Sequence, residues 1–393
     1  MTAHRPTHGG LSTQSVHAGS VTPAEGAPVV PPLVQSATYY GGWHDATIDL
    51  RYARYGNNPN QEEVATKLAA LEGTESAIAL GSGMAATAMT LLALTRAGDH
   101  VVASRQIYGT TQSFLQQELA RRGVAVDFVD PDSARTWRLA LKANTRLLFM
   151  EVPTNPTLRI HDPRPLVRLA REAGVPLVVD STFASPVNLR PASLGVDVVI
   201  HSATKYLGGH SDVVAGVVCG STAIIDEVRR MLMLYGPALD PHAAWLLARG
   251  LRTLSVRVQR QNESALALAR WFKEQSGVKA VIHPGLPEHP DHELAKEILQ
   301  GYGGMLSVVL EGGSRAANTF CRALQIALYA PSLGGVETLV SQPRFTSQVG
   351  LGAKEMEEQG IPEGFVRISV GLEDVPDLER DFGRALQAAR ADG

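Results

Sequence analysis

Short apolar runs rich in β-branched residues recur along the middle of the chain, at Ser76–Leu80, His100–Ala103, Val124–Val129, Leu147–Val152, Pro176–Asp180, Asp197–His201 and Val213–Cys219. Runs of this length and composition predict strands buried on both faces. Helical patterns separate them. In Asp162–Ala173, Asp162 caps, Pro163 takes the first helical position, and Leu166, Leu169 and Ala170 form one apolar stripe. Asn60 is the expected N-cap of a helix running to Glu72, which Gly73 ends because glycine tolerates the left-handed stop. Strand and helix in alternation predict an α/β domain with a mostly parallel sheet and helices on both faces.

The rhythm changes after Cys219. Asp240–Ser276 reads as one long, mostly helical stretch, followed by a Pro/His-rich loop around His283–His292 and two alternating strands, Met305–Leu310 and Phe365–Val370. These predict a smaller C-terminal α+β domain. Residues 1–59 are rich in Pro, Gly and Thr without periodicity, which predicts an extended arm. The expected division is therefore an N-terminal arm at 1–59, a large domain at 60–249 and a small domain at 250–393, with no internal repeat.

Composition narrows the function. A chain of 393 residues with 44% hydrophobic and 19% charged residues is globular and too long for one ordinary core. A net charge of -3 with both signs scattered gives no footprint for nucleic acid or an anionic membrane, so a small-molecule partner is expected. Met1 to Gly10 contains no apolar core of a signal peptide, and no later run approaches the ~20 apolar residues of a membrane span, which predicts a cytoplasmic protein. Cys219 and Cys321 stand far apart, offering neither a disulfide framework nor metal-ligand spacing, and read as buried small hydrophobes.

Candidate chemistry centres on His201-Ser-Ala-Thr-Lys205-Tyr-Leu-Gly-Gly-His210, which starts at a strand end. Ser202, Thr204, Gly208 and Gly209 offer hydroxyls and close backbone approach, suited to an anionic phosphate beside a desolvated amine. A desolvated lysine has the lowered pKa that Schiff-base chemistry needs. Asp180 ends the preceding strand, at the carboxyl edge where open α/β sheets bind ligands; there it could hold a pyridine nitrogen protonated, or simply cap a helix. Gly81-Ser-Gly83-Met84-Ala-Ala-Thr87 follows a strand and opens a helix, so its backbone N–H groups can cradle a phosphate.

With these motifs stand Val29–Thr38, Tyr52-Ala-Arg54-Tyr-Gly-Asn57, Tyr108-Gly109, Glu151-Val-Pro-Thr-Asn155-Pro156, Asp240–Gly250, Ser332-Leu-Gly-Gly335 and Arg367-Ile-Ser-Val-Gly-Leu-Glu373. In order and spacing the set resembles the pyridoxal-phosphate-dependent enzymes of cysteine and methionine metabolism, the group of cystathionine γ-lyase, cystathionine γ-synthase and methionine γ-lyase. The resemblance implies the type I fold of PLP-dependent transferases and pyridoxal 5'-phosphate as cofactor, with no metal. It makes Lys205 the Schiff-base lysine and Asp180 the partner of the ring nitrogen. Gly83, Met84, Ser202 and Thr204 would hold the phosphate. Tyr108 would stack on the ring and transfer protons, and Asn155 would bond the ring's 3-oxygen. Arg367, assisted by Asn155 and Ser332, would clamp the substrate α-carboxylate; strand alternation alone would equally allow a surface charge at Arg367.

Tyr52 and Arg54 would reach the phosphate of a neighbouring subunit, so the resemblance also implies a homo-oligomer, a tetramer built as a dimer of dimers. The implied reaction is γ-elimination or γ-replacement on a sulfur amino acid. Ser332-Leu333 resembles the γ-acting members, and Thr110 stands where methionine γ-lyases usually show Cys. Pro331 resembles some γ-synthases, whereas Thr346-Ser347-Gln348 departs from the family's usual Met-Thr-His. Cystathionine γ-lyase and cystathionine γ-synthase stand level, with methionine γ-lyase or O-acylhomoserine sulfhydrylase as alternatives and an aminotransferase as a distant one.

Overall fold

A computed structural model describes residues 9–20, 24–41, 50–349 and 352–391 of the chain. The parts of the predicted arm at 1–8, 21–23 and 42–49 lie outside the described residues, including most of the Met1–Gly10 stretch.

Seven strands form the larger sheet: β1 (Ser76–Leu80), β2 (His100–Ser104), β3 (Ala125–Val129), β4 (Thr145–Glu151), β5 (Leu177–Asp180), β6 (Val198–Ser202) and β7 (Gly216–Gly220). Their order is β1-β7-β6-β5-β4-β2-β3, and only β7 runs antiparallel to its neighbours. This is the mostly parallel α/β sheet that the alternating pattern predicts. The apolar strands serve two cores because successive side chains point to opposite faces. Val102, Leu148, Val179, Val199 and Val217 pack into one core, and Val101, Leu147, Val178, Val198 and Val218 into the other. Each fully buried aliphatic side chain contributes about 1.5–3 kcal/mol relative to exposure, so this sheet is a rigid platform.

The second sheet contains β8 (Val278–Ile282), β9 (Met305–Leu310), β10 (Leu328–Tyr329), β11 (Leu339–Ser341) and β12 (Phe365–Ser369), in the order β10-β11-β12-β9-β8. β8, β10 and β11 carry too little patterned sequence to be read from the chain. β9 and β12 are buried along their whole length, not alternately exposed, because a third core fed by Phe272, Phe320 and Phe382 covers this sheet.

Three further local readings need correction. The N-cap of helix Pro59–Glu72 is Asn58, not Asn60: Pro59 starts the helix, Asn58 Oδ1 accepts the Asn60 N–H (2.9 Å), and Gln61 Oε1 accepts the Asn58 N–H (2.9 Å). Asn60 instead holds the arm, accepting the Val34 N–H (2.8 Å) and donating to the Pro32 carbonyl (3.0 Å). The stretch Asp240–Ser276 is two helices, Pro241–Leu251 and Leu254–Lys273, with a break at Arg252-Thr253. The arm itself contains a short helix, Leu11–His17, whose last-turn carbonyls of Ser15 and Val16 accept from buried Lys67 Nζ (both 3.2 Å). Gly73 does end its helix in the left-handed region (φ 77°), and both cysteines are buried. No helix among the described residues is long and apolar enough to cross a membrane.

Candidate active site

The carboxyl ends of β4, β5 and β6 stand side by side. Parallel register pairs Glu151 with Asp180 and Asp180 with Ile200, which sets two carboxyl side chains next to one another at the sheet edge. Asp180 Oδ1 accepts from the backbone N–H (2.9 Å) and hydroxyl (2.6 Å) of Thr182. Glu151 accepts the N–H of Tyr108 on Oε2 (2.7 Å) and that of Asn155 on Oε1 (2.8 Å).

Beyond β6 the chain turns tightly through Lys205, whose N–H donates to the Ser202 carbonyl (3.1 Å). Arg257 holds this turn from behind. Its guanidinium is buried and donates to the carbonyls of Tyr206 and Gly250 (both 2.9 Å). A Cβ at Gly209 would lie 1.9 Å from Arg257 Nη1, and one at Gly250 would lie 2.3 Å from the Gly208 carbonyl oxygen. Gly208 and Gly209 therefore serve packing behind the lysine and do not line the cleft in front of it, contrary to the phosphate role expected of them. His201 also faces away, paired with buried Glu72 (2.5 Å). Between β1 and helix Gly83–Leu94, Ser82 caps the helix through its side chain, accepting the Ala85 N–H (3.0 Å). A side chain at Gly83 would lie 2.7 Å from Ser202 Cβ, so only glycine lets the helix start approach the lysine turn.

The second sheet supplies the facing wall. Lys205 Nζ donates to Ser332 Oγ (2.8 Å). Arg367, on β12 and 4% exposed, donates to Asn155 Oδ1 (3.0 Å) and to the Ser332 carbonyl (3.0 Å), while its buried Nε has no partner. This rules out the surface-charge reading of Arg367. Ser332 makes both contacts from a positive φ of 91°, a conformation that costs a non-glycine residue about 1–3 kcal/mol.

A cleft of about 350 Å³ results, within the usual range for small-molecule sites. Gly83, Met84, Tyr108, Asn155, Asp180, Ser202, Thr204, Lys205, Ser332 and Arg367 line it, joined by residues given no role from sequence, among them Glu151, Phe183, Thr346 and Ser347. Tyr52 and Arg54 do not line it. Exposed Arg54 lies over the rings of Tyr52 and Tyr55 (5.4 and 5.0 Å) and donates to the Met233 carbonyl (2.5 Å). Thr204 Oγ is engaged with the backbone of Ala215, accepting its N–H (3.0 Å).

Burial dominates the electrostatics. It pushes the Lys205 amine down to about 8, with the neighbouring Arg367 cation adding to the effect. It lowers Arg367 to about 10. Asp180 is raised by burial, against the bonds from Thr182 that favour its anion. Glu151 is raised well above the usual carboxylate range by burial and then by Asp180. The cleft thus combines a poised amine, a guanidinium with an open donor, the first-turn amides of a helix and an acid at the sheet edge. That donor set fits an organic cofactor bearing a phosphate, a carbonyl and a basic ring nitrogen, together with a carboxylate-bearing substrate.

The family described as Cys/Met metabolism PLP-dependent enzyme matches residues 12–387. Cystathionine gamma-synthase 1, chloroplastic, from Arabidopsis thaliana is 38% identical over 389 residues, covering 95% of this chain and 68% of that protein. L-methionine gamma-lyase from Pseudomonas putida is 37% identical over 390 residues, covering 97% and 98%. The crystal structure of cystathionine gamma-lyase from Lactobacillus plantarum complexed with L-serine superposes with a TM-score of 0.92 at 32% identity, over 97% of this chain and 99% of that one.

Proposed function

The chain belongs to the Cys/Met metabolism PLP-dependent enzyme family, and on that premise we propose that it eliminates or replaces the γ-substituent of a sulfur amino acid, with cystathionine as substrate or product. It is a pyridoxal-phosphate-dependent enzyme of the α/β fold shared by that family's solved structures. The observation that carries the reading is the meeting of Lys205, Ser332 and Arg367: a poised amine stands on the same serine whose carbonyl orients a buried guanidinium.

Bound pyridoxal phosphate supplies an electron sink for charge that develops at the substrate's α-carbon. Gly83, Met84, Ser202 and Thr204 would hold its phosphate, Asp180 its ring nitrogen, Asn155 its 3-oxygen, and Tyr108 its face. The remaining work belongs to the chain. Arg367 binds the α-carboxylate through its planar fork of donors. Lys205 Nζ, neutral once the pH exceeds its lowered pKa, takes the α-proton and carries it onward. Tyr108, 36% exposed at the cleft, exchanges a proton with the departing or entering sulfur.

Tyr52 and Arg54 would complete the phosphate site of a second subunit in a homo-oligomer, a tetramer formed as a dimer of dimers. Their exclusion from their own cleft supports this arrangement. We place the enzyme in the cytoplasm. The deciding experiment incubates purified protein with cystathionine, methionine, homocysteine and O-acylhomoserines, with and without cysteine, and identifies the products. Formation or cleavage of cystathionine is expected; transfer of the amine to an added oxo acid without loss of any γ-substituent would overturn the reading.

A further inference from the structure

Glu151 ends β4 with a side chain that is buried yet reaches the cleft. Its carboxyl group lies beside its cross-strand partner Asp180, a costly position, because each like charge makes the other harder to bury. The compensating bonds go to two separate loops. One oxygen takes the N–H of Tyr108, the other that of Asn155. Asn155 Oδ1 in turn accepts from Arg367. Ionised, the carboxyl group offers two acceptor oxygens and no donor, and the two N–H bonds favour that anion against the burial and the Asp180 charge that raise its pKa.

We propose that Glu151 is a positioning residue that spaces Tyr108 from Asn155 across the cleft and, through Asn155, sets the orientation of Arg367. The role rests on the proposed function, which gives Tyr108 and Arg367 their work, and adds the residue that holds them in common register. Glutamine at this position would keep one acceptor and turn an NH₂ group toward the other backbone N–H. One of the two loops must then move, and a displacement of about 1 Å near reacting groups costs up to roughly a hundredfold in rate.

The test compares Glu151→Gln with wild type in the cofactor-loaded enzyme. Expected are a loss of roughly 10- to 100-fold in kcat/KM, with KM raised as well as kcat lowered, and weaker binding of glycine, followed by the visible absorbance of the bound cofactor. Independently of turnover, hydrogen exchange should quicken at the amide of Tyr108 or Asn155 while the rest of β4 stays protected. Combined with Arg367→Ala, the losses should be less than multiplicative, because both changes act on one linked set. Unchanged amide exchange and glycine affinity, or fully multiplicative losses with a lowered melting temperature, would overturn the proposal. Should Glu151→Gln fail to fold, Glu151→Asp, which keeps both acceptor oxygens, is read by the same amide exchange, and unaltered protection at both loops is again fatal. A wild-type enzyme that leaves every γ-substituted amino acid untouched would sink the proposed function instead, without altering the exchange result.

Discussion

The two walls of the cleft are built in different ways. The large-sheet wall collects Gly83, Asp180, Ser202 and Lys205 from strand ends and the turns that follow them, over a platform buried on both faces. The opposite wall brings Ser332 and Arg367 from the second sheet and joins the first through two hydrogen bonds of long sequence separation, Lys205 to Ser332 and Arg367 to Asn155. The first wall is built on the strand ends of one sheet, with Arg257 of helix Leu254–Lys273 bracing the lysine turn from behind. The second is in register only because the two sheets are docked. On the proposed function, cofactor binding falls to the first wall and recognition of the substrate carboxylate to the second.

The largest effect should come from the first wall. Lys205→Ala is expected to lower kcat by roughly 10⁴ or more, the upper range of a positioned acid–base group, and to abolish the single borohydride-fixed pyridoxyl label that peptide mapping should place on Lys205 in wild type. A label on another lysine would break the assignment. Mixing Lys205→Ala with Arg54→Ala chains then asks whether the arm belongs to the partner's cleft: random pairing of dimers should restore roughly a quarter of wild-type sites. No recovery despite proven subunit exchange would confine the arm to its own subunit.

The docked wall should show a smaller loss of a different kind. Arg367→Ala is expected to cost about 2–5 kcal/mol, or roughly 30- to several-thousand-fold in kcat/KM, while leaving cofactor binding intact. Arg367→Lys should recover part of this, since a point charge does not reproduce the planar fork. Loss of the cofactor in Arg367→Ala would erase the distinction between the walls. The subtlest prediction joins them. Burial and Arg367 both favour the neutral Lys205 amine, so amine labelling of the cofactor-free protein should follow a pKa of about 8. Below that pH the amine is protonated and unreactive; above it the amine is free. Arg367→Ala removes the cationic contribution and should move this midpoint upward; a fixed or lowered midpoint would uncouple the walls.

Strand rhythm, the glycine turn and a lysine after a strand end were legible because each is a local pattern. β1 and β9 begin and end where the apolar runs do, since an abrupt change from apolar to turn-forming residues marks both edges. The reading slipped where a single residue had two plausible tasks. Asn58 and Asn60 are both capping types, and only the arm's backbone, which needed Asn60, decided between them. Gly208 and Gly209 announced close approach without saying to what; the neighbours are Gly250 against the Gly208 carbonyl and Arg257 against Gly209, both far along the chain. The short β8, β10 and β11 take their shape from pairing more than from their own composition.

By itself the sequence determined the fold class and the kinds of chemical group available, because periodicity and residue type are written along the chain. Only the tertiary structure decided which groups meet. Strand register put Glu151 beside Asp180, and sheet docking buried Arg367 against Asn155 and Ser332. Those encounters depend on distances between residues remote in sequence, and with them come the burial and neighbouring charge that shift the Lys205 amine.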